Sequence, residues 1–337
     1  MDKKPLIGLL CSNISTEAYK NIDIEPPIEL MQFTPEDINW NDKRISGLIL
    51  ENGVWKKGIR DFPVVVYNRC YTRSTGITRR LERYIGQGKV FNIYTMFDKY
   101  ETYNFFYDSR LAEYMIPTWP YDPILLIRKL SNGESALIKP AKGSLGSGVI
   151  KLNKIGNEYF AYLQTVYPDA VFSTTRELFF YINKVMVKNP YYIIQPFINF
   201  MKDEDSVFDM RFLVQKNGDG VWQITADLCR MSFDDFYVTN LAYEIIPVQD
   251  VLKQLDLDET IMTQMKDISI EAAMIIEEKA GPFGELCVDF GIEENGRLWI
   301  IEINGKPDKS LFKEISHEIY RKALITPLQY AEYLAIH

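Results

Sequence analysis

The stretch GELCVDFGIEENGRLWIIEIN, residues 284–304, decides the fold because it holds two strand patterns separated by an Asn-Gly pair at 295–296. This dipeptide is the preferred loop of a two-residue type I′ turn and predicts a β-hairpin. With these two residues as the loop, Asp289 lies directly opposite Glu302. Asn304 projects from the same face, because side chains alternate along a strand. The hairpin is therefore expected to bring three oxygen-bearing side chains to one patch.

The opposite face of this hairpin is expected to pack against a core. Its apolar residues are Leu286, Val288, Phe290, Trp299, Ile301 and Ile303. On the polar face, two carboxylates on a largely buried sheet repel each other unless they are protonated or neutralised by a cation. Hard oxygen ligands with few protein contacts suit Mg²⁺ that carries nucleotide phosphates and waters. The pattern favours a magnesium site, and an exposed polar face on an edge hairpin is the alternative.

A second candidate site is the glycine-rich segment IKPAKGSLGSGV, residues 138–149. Its glycines are spaced so that backbone N–H groups can approach phosphate oxygens. It is not a Walker A loop, because no Gly-Lys-Ser/Thr closes it and the following VIKL has a strand pattern. It predicts a flap between two antiparallel strands. Lys139 and Lys142 favour an anion above the flap, with a triphosphate preferred, and a hairpin without a ligand is the alternative.

Composition sets the class of protein. The chain has 337 residues, 47% hydrophobic and 25% charged, which predicts a globular protein of two or three domains. A formal net charge of −8 argues against a nucleic-acid partner, because such binding needs Lys and Arg to neutralise phosphates. The four cysteines form no CxxC pair, which predicts reduced thiols. No apolar run suits a signal peptide or a bilayer-spanning helix. We therefore expect a soluble, cytoplasmic protein with no membrane partner.

The pattern of elements predicts two domains. Two buried-strand patterns, PLIGLLC near the start and FPVVVYNR at 62–69, indicate a small α/β domain over residues 1–95. Residues 96–337 contain mostly short strand patterns joined by turns, and they predict a strand-rich α+β body. One long helix is predicted at 257–279, with Gly281 just past its end.

Taken together and in this order, the motifs resemble the ATP-grasp superfamily. Within it they are similar to the YheC/YheD-type endospore coat-associated proteins, and more distantly to glutathione synthetase. The motifs are VYNR (66–69), FDKY (97–100), IKPAKGSLGSG (138–148), YIIQPFI (192–198), FDMR (208–211), LCR (228–230), VTNL (238–241) and VDF…IEINGKP (288–307). The resemblance implies an α+β ATP-grasp fold with a small amino-terminal α/β domain. It also implies a central lobe at about 105–190 and a carboxyl-terminal lobe at about 191–337.

The resemblance implies a nucleotide site for ATP. Residues implied to bind the nucleotide are Lys99, Lys139, Lys142, Gly143, Ser144, Gly146, Ser147, Gly148, Gln195, Pro196, Phe197, Ile198 and Asp209. In the adenine hinge, the C=O of Pro196 would receive the amino group. The N–H of Ile198 would donate to the ring, because proline has no N–H. Asp289, Glu302 and Asn304 would hold Mg²⁺, with Mn²⁺ as the alternative, in agreement with the register of the hairpin.

The resemblance also implies catalytic residues, namely Arg211, Arg230 and Asn240. Arg211 would contact phosphate, while Arg230 and Asn240 would hold the transferring phosphate and the acyl-phosphate end of the substrate. A structural ion pair or a turn is the alternative for each of the last two. After Asn240 the chain reads LAYEII (241–246) where family members commonly have two glycines, so the acceptor substrate is expected to differ.

The implied function is ATP-dependent ligation of a carboxylate to an amine through an acyl phosphate. The substrates would be a carboxylate and an amine, with an amino acid or a peptide as options. Two alternatives stay open: a non-catalytic spore-coat-associated protein, and an ATP-dependent small-molecule kinase. A homodimer and association with the spore coat also stay open as assemblies.

Overall fold

The structure is a computed structural model that describes residues 4–20, 22, 24–143, 148–186, 191–237, 239 and 242–337. Its described strands form three sheets. The predicted α+β class is observed, and most of the strand pairs are antiparallel. In the described ranges, none of the helices has the length and apolar character needed to cross a bilayer.

The first sheet is built from strands near the amino terminus. They are β1 (Leu6–Cys11), β2 (Glu29–Phe33), β3 (Ile38–Asn39), β4 (Arg44–Glu51), β5 (Val54–Asp61), β6 (Val65–Arg69) and β7 (Val90–Phe91). Their order is β3-β4-β2-β1-β6-β7, with β5 paired to β4. The pairs of β1 with β2 and of β1 with β6 are parallel, which agrees with the predicted α/β character. Helix α1 (Gly76–Ile85) follows β6.

The second sheet has the order β12-β11-β10-β9-β13-β8. Its strands are β8 (Trp119–Pro120), β9 (Ala136–Pro140), β10 (Ile150–Ile155), β11 (Glu158–Tyr162), β12 (Ala170–Phe172) and β13 (Tyr192–Pro196). Helix α2 (Lys99–Phe105) precedes it, and α3 (Pro123–Ser131) and α4 (Thr175–Met186) pack against one of its faces. Strands β9 and β10 pair antiparallel, so the glycine-rich segment joins two antiparallel strands as predicted.

The third sheet has the order β17-β16-β15-β18-β19, with β14 paired to β15. Its strands are β14 (Lys202–Asp203), β15 (Ser206–Lys216), β16 (Trp222–Ser232), β17 (Ala242–Ile246), β18 (Glu285–Ile292) and β19 (Leu298–Asn304). Helices α5 (Val248–Gln254) and α6 (Thr260–Ala280) cover its apolar face. The last helix, α7 (His317–Ile336), contributes Ile325 and Leu328 to the core of the first sheet.

The predicted long helix is confirmed as α6, although it begins at Thr260 rather than at 257. It ends at Ala280, one residue after the predicted end, and Gly281 lies just past it as predicted. Gly281 has φ +105° and donates its N–H to the carbonyl of Glu277, which satisfies one of the last carbonyls of the helix.

The hairpin β18–β19 forms as predicted, but its turn does not. The backbone N–H of Glu293 donates to the carbonyl of Arg297. The loop is therefore residues 294–296, three residues rather than two. Gly296 has φ +83°, whereas Asn295 is not among the residues with positive φ, so the type I′ prediction is wrong. A three-residue loop that ends in a left-handed glycine is the next most common hairpin connection.

A bulge in β19 restores the predicted register at the site. Phe290 pairs with Ile300, whereas the neighbouring Asp289 pairs with Glu302, so Ile301 is an extra residue. The longer loop and the bulge each shift the register by one residue, and the two shifts cancel. Asp289 and Glu302 are therefore opposite each other, as the sequence predicted.

The same bulge changes part of the predicted apolar face. Leu286, Val288, Phe290 and Ile303 lie in the core as predicted, but Leu298 and Ile300 take the places assigned to Trp299 and Ile301. Trp299 instead pairs with Gly291 and donates its indole N–H to Glu293 at 2.9 Å. Ile301 faces the cleft described below.

Candidate active site

A cleft of about 380 Å³ lies between the second and third sheets. Side-chain alternation explains its floor. The even-numbered residues of β9 and β10 pack under α3 and α4, which leaves Leu137, Lys139, Val149 and Lys151 on the cleft face. The predicted site residues that line it are Lys99, Lys139, Gly143, Gln195, Pro196, Phe197, Ile198, Asp209, Arg230, Asp289 and Glu302.

One end of the cleft is rich in lysine. Asp98 caps the start of α2, which places Lys99 in the first turn. The ammonium of Lys99 contacts Glu302 at 2.9 Å and donates to the carbonyl of Gly143 at 2.9 Å. Lys139 is only 8% exposed. Its burial, reinforced by the charge of Lys99 and opposed by Glu302, lowers the pKa of Lys139 to about 8. This end of the cleft is suited to an anion, which would restore the charged form of Lys139.

Asp289 lies at the centre of a buried ionic cluster. Arg211 donates to it from Nε at 2.8 Å and from Nη2 at 2.7 Å, a bidentate pair. Arg230 donates to the same carboxylate at 3.2 Å, and so does the side-chain amide of Asn304. Burial by itself would raise the pKa of Asp289, but Arg211 and Arg230 outweigh it, and the pKa is lowered.

Asp209 and Arg230 form the second pair of this cluster. Arg230 donates from Nε at 2.7 Å and from Nη2 at 2.6 Å, and the hydroxyl of Thr239 donates to the same carboxylate. Sheet register creates both pairs, because Asp209 lies opposite Arg230 on β15 and β16, and Arg211 lies opposite Asp289 on β15 and β18. Both arginines therefore take part in buried ion pairs, the alternative that the sequence had left open for Arg230.

These contacts correct the expected repulsion between Asp289 and Glu302. The sequence argument required protonation or a bound cation to hold the two carboxylates together. In the structure, protein cations already neutralise them: two arginines act on Asp289, and Lys99 acts on Glu302. Proximity of the carboxylates alone therefore does not require a metal ion.

The donor set nevertheless fits Mg²⁺. Within the described ranges, no group of three or more His, Cys, Asp or Glu side chains is arranged to hold a metal ion. Asp289, Glu302 and Asn304 supply two carboxylates and an amide, and Mg²⁺ commonly uses one or two carboxylates together with substrate phosphates and water. Asn304 turns its amide nitrogen to Asp289, which leaves its oxygen available to a ligand. The chemistry of these three side chains is therefore compatible with Mg²⁺.

The other end of the cleft contains the predicted hinge. Phe197 donates its backbone N–H to the carbonyl of Ser135 at 2.9 Å. Backbone groups of neighbouring residues point in opposite directions, so the C=O of Pro196 and the N–H of Ile198 point away from Ser135. Both residues line the cleft. Gln195 uses its side chain to donate to Thr118 at 2.7 Å, which steadies the hinge.

Several predicted residues lie elsewhere. In the described part of the chain, the lining of the cleft does not include Lys142, Gly148, Arg211 or Asn304. Lys142 lies near Asp98 and over the ring of Tyr191, and Arg211 lies behind Asp289. The predicted residues Ser144, Gly146, Ser147 and Asn240 lie outside the described residues.

Sequence reasoning missed several of the residues that line the cleft, and Ile301 and Lys151 are two of them. Ile301 was assigned to the core, and only the bulge turns it to the cleft. Lys151 lies on the cleft face of β10 with its ammonium 3.8 Å from the centre of the Phe197 ring. Alternation along β10 could have identified Lys151, because it is two residues from Val149 and so shares its face.

Comparison with known proteins identifies relatives of this chain. A profile of the family described as "YheC/D like ATP-grasp" matches residues 87–334. The chain is 25% identical over 324 residues to the endospore coat-associated protein YheD of Bacillus subtilis (strain 168), covering 90% of this chain and 70% of that protein. It is also 25% identical over 339 aligned residues to the endospore coat-associated protein YheC of the same strain, covering 91% and 88%.

Solved structures share the fold at much lower identity. The VanG D-Ala:D-Ser ligase from Enterococcus faecalis superimposes with a TM-score of 0.57 at 12% identity, covering 98% of this chain and 100% of that one. The D-alanine-D-alanine ligase from Coxiella burnetii gives a TM-score of 0.55 at 13% identity, covering 99% and 95%. The predicted α+β ATP-grasp fold is thereby confirmed. Since the family profile spans most of its length, the chain belongs to the YheC/D-like ATP-grasp family.

Proposed function

We propose that the protein is an ADP-forming ligase that uses ATP to join a carboxylate to an amine. The observation that carries the proposal is that one cleft has Lys99 and Lys139 at one end and the hinge of Pro196 and Ile198 at the other. A nucleotide fits this arrangement, with its phosphates beside the lysines and its base beside the hinge. Ligases with the same fold, such as VanG, support the reaction class.

The phosphate end has the charges that phosphoryl transfer requires. Lys139 is buried and Arg230 is 9% exposed, so both act where water screens them little. Arg211 would act indirectly, by holding Asp289 in place. When bound, Mg²⁺ would neutralise phosphate charge beside Asp289, Glu302 and Asn304. Within this cleft the protein positions groups and stabilises charge, and no side-chain nucleophile is needed.

In the proposed reaction, a carboxylate oxygen forms a bond to the γ-phosphorus of ATP as the bond to the ADP oxygen breaks. The product is an acyl phosphate. The amine nitrogen then attacks the acyl carbon, phosphate leaves with the electron pair of the C–O bond, and the nitrogen gives up a proton. An amide, ADP and phosphate result. Asn240, which lies outside the described residues, would hold the acyl-phosphate end by its family position.

The test is ADP release by the full chain with Mg-ATP, in a matrix of amino acids and short peptides as carboxylates and amines. We expect release that requires both partners, and hydroxylamine should trap a hydroxamate in place of the amide. A stable phosphoester formed without an amine would replace the ligase by a kinase. ATP binding without turnover across the matrix would exclude the ligase.

A second candidate function is a role in the spore coat without catalysis. The observation that favours it is the description of both YheC and YheD as endospore coat-associated. On this proposal the protein would act in the cytoplasm of a spore-forming cell or at the forming coat. Fractionation of spores, with the wild-type protein compared to a turnover-deficient variant, separates association with the coat from catalysis.

A further inference from the structure

Lys99 connects the two sides of the cleft. Its ammonium contacts Oε1 of Glu302, on the third sheet, at 2.9 Å. The same ammonium donates to the carbonyl of Gly143 at 2.9 Å, just beyond the end of β9. The backbone N–H of Lys99 donates to the carbonyl of Ala141 at 2.8 Å, which holds the first turn of α2 against the same segment. The position of the ammonium beside Glu302 is therefore also fixed from the second sheet.

Glu302 is held less firmly than its neighbour Asp289. The carboxylate of Asp289 is 2% exposed and accepts hydrogen bonds from both Arg211 and Arg230. The side chain of Glu302 is 27% exposed, and Lys99 is the cation paired with it among the described residues. Partly exposed ammonium–carboxylate pairs are weak, whereas removing a partner from a buried pair is costly. Glu302 is therefore the carboxylate of this patch whose partner is easily replaced.

A divalent cation at Glu302 would compete with the ammonium of Lys99. Mg²⁺ binds oxygen at about 2.1 Å. An ion on Oε1 would lie no more than about 5 Å from the ammonium, because both would bind the same oxygen. Two cations this close repel each other, most of all where protein shields them from water. The pair of Lys99 with Glu302 should therefore weaken metal binding to the protein alone.

A triphosphate would remove this obstacle. In the proposed site its phosphates lie beside Lys99 and Lys139, where their oxygens offer the ammonium of Lys99 other acceptors. We propose that Lys99 competes with the divalent cation for Glu302, and that the phosphates of the nucleotide relieve the competition by drawing the ammonium to themselves. The metal ion then binds together with the nucleotide rather than ahead of it. The inference rests on the proposed ATP site and adds an order of binding.

The test measures Mn²⁺ binding to the full chain without nucleotide, by the electron paramagnetic resonance signal of the free ion. The Lys99→Met variant should bind Mn²⁺ about tenfold more tightly than the wild-type protein, because the competing charge is gone. Methionine keeps the apolar stem of the side chain. Lys99→Gln, which is also neutral, should give the same gain, and urea unfolding shows that each variant is folded.

Two further variants test whether the gain depends on Glu302. The double variant Lys99→Met/Glu302→Gln should lose the gain, because the carboxylate that was released is absent. Lys139→Met is the matched control for charge, since it removes a lysine from the same end of the cleft. No ion pair among the described residues joins Lys139 to Glu302, so its gain should be less than about threefold.

Three results would overturn the competition. They are equal Mn²⁺ affinity of the wild-type protein and both Lys99 variants, an equally large gain in Lys139→Met, and a gain that persists in the double variant. These titrations contain no nucleotide and are independent of the proposed function. A separate calorimetric titration with Mg-ATP tests that function. Failure of the wild-type protein to bind Mg-ATP would overturn the proposed function and the relief by phosphate, whereas the Mn²⁺ titrations alone decide the competition for Glu302.

Discussion

Two carboxylates on strand β18, Glu285 and Asp289, lie four residues apart on the same face of the third sheet and yet differ in surroundings. Glu285 is fully buried, with Arg69 at 2.5 Å, Lys309 at 2.8 Å and the amide of Gln215 at 2.9 Å. Asp289 is 2% exposed and lines the cleft. The elements that cover the strand make the difference, because the first sheet seals Glu285 while the cleft opens beside Asp289.

The balance of charge differs as well. Around Glu285, one carboxylate meets two cations, and the hydroxyl of Tyr67 closes the group. Burial alone would raise the pKa of Glu285, but Lys309 and Arg69 lower it to about 2. In the cleft cluster, Asp209 and Asp289 balance Arg211 and Arg230. Because these pairs are neutral, the charge of Lys139 in the cleft has no compensating carboxylate in the described part of the chain, and an anionic ligand requires such a charge. The group around Glu285 instead joins the first sheet to the third.

The largest expected effect follows from Asp289→Asn. Turnover should fall about a thousandfold, because a group that positions phosphate and metal charge is lost. The free energy of unfolding should also fall, by about 3–5 kcal/mol, because Arg211 and Arg230 lose a buried partner. From the sequence alone, stability would be unchanged or slightly raised, since repulsion was expected there. Urea unfolding and ADP release measure the two effects, and near wild-type turnover would remove Asp289 from the reaction.

Glu302→Gln should reduce turnover while leaving the free energy of unfolding almost unchanged. Turnover should again fall about a thousandfold, for the same reason. The free energy of unfolding should change by less than about 1 kcal/mol, because the side chains of Glu302 and Lys99 are 27% and 16% exposed and solvent screens the pair. A stability loss as large as that of Asp289→Asn would show that Glu302 belongs to the structural cluster.

Glu285→Gln should reduce the stability of the protein without reducing its affinity for Mg-ATP. Arg69 and Lys309 would lose their charged partner, and the free energy of unfolding should fall by about 3 kcal/mol. Glutamine keeps part of the hydrogen bonding, and Arg69 retains its bond to the carbonyl of Pro307, so the lower end of the usual range is expected. Affinity for Mg-ATP should be unchanged. Loss of ATP binding by folded Glu285→Gln would contradict the division of β18 into a sealed region and an open one.

The hairpin shows how much could be predicted from the sequence. The strand patterns and an assumed two-residue Asn-Gly turn predicted that Asp289 lies opposite Glu302, and the structure contains this pair. The loop length and the bulge at Ile301 were not readable, because both depend on how β19 packs against its neighbours rather than on local pattern. The predicted pairing of Asp289 with Glu302 is present because two unrecognised shifts of one residue cancelled.

The ionic clusters show what could not be predicted. Motif positions had drawn attention to Arg211 and Arg230, but their partners are set by the pairing of β15 with β16 and β18, between residues far apart in the chain. Glu285 was not predicted to form ion pairs, because its partners Arg69 and Lys309 come from β6 and from the segment after β19. These contacts depend on strand pairing between distant residues and on burial, and neither can be predicted from a single sequence.

The smallest effect, and the one that compares the two regions most directly, is the pH dependence of two buried lysines. Burial lowers the pKa of both Lys139 in the cleft and Lys309 beside Glu285 from 10.5 to about 8. Both folded-state values are below the unfolded value, so the unfolded chain binds more protons between about pH 8 and 10.5, and the free energy of unfolding should rise across that range. ATP affinity should move the other way, falling about tenfold from pH 7 to pH 9 as Lys139 loses its proton. Calorimetric titration at several pH values measures this fall. Lys309→Met should leave the pH dependence of ATP affinity unchanged, but it should reduce the rise in the free energy of unfolding between about pH 8 and 10.5. Lys139→Arg keeps its charge over this range, so its ATP affinity should not fall from pH 7 to pH 9. An affinity independent of pH in the wild-type protein would place the phosphates away from Lys139.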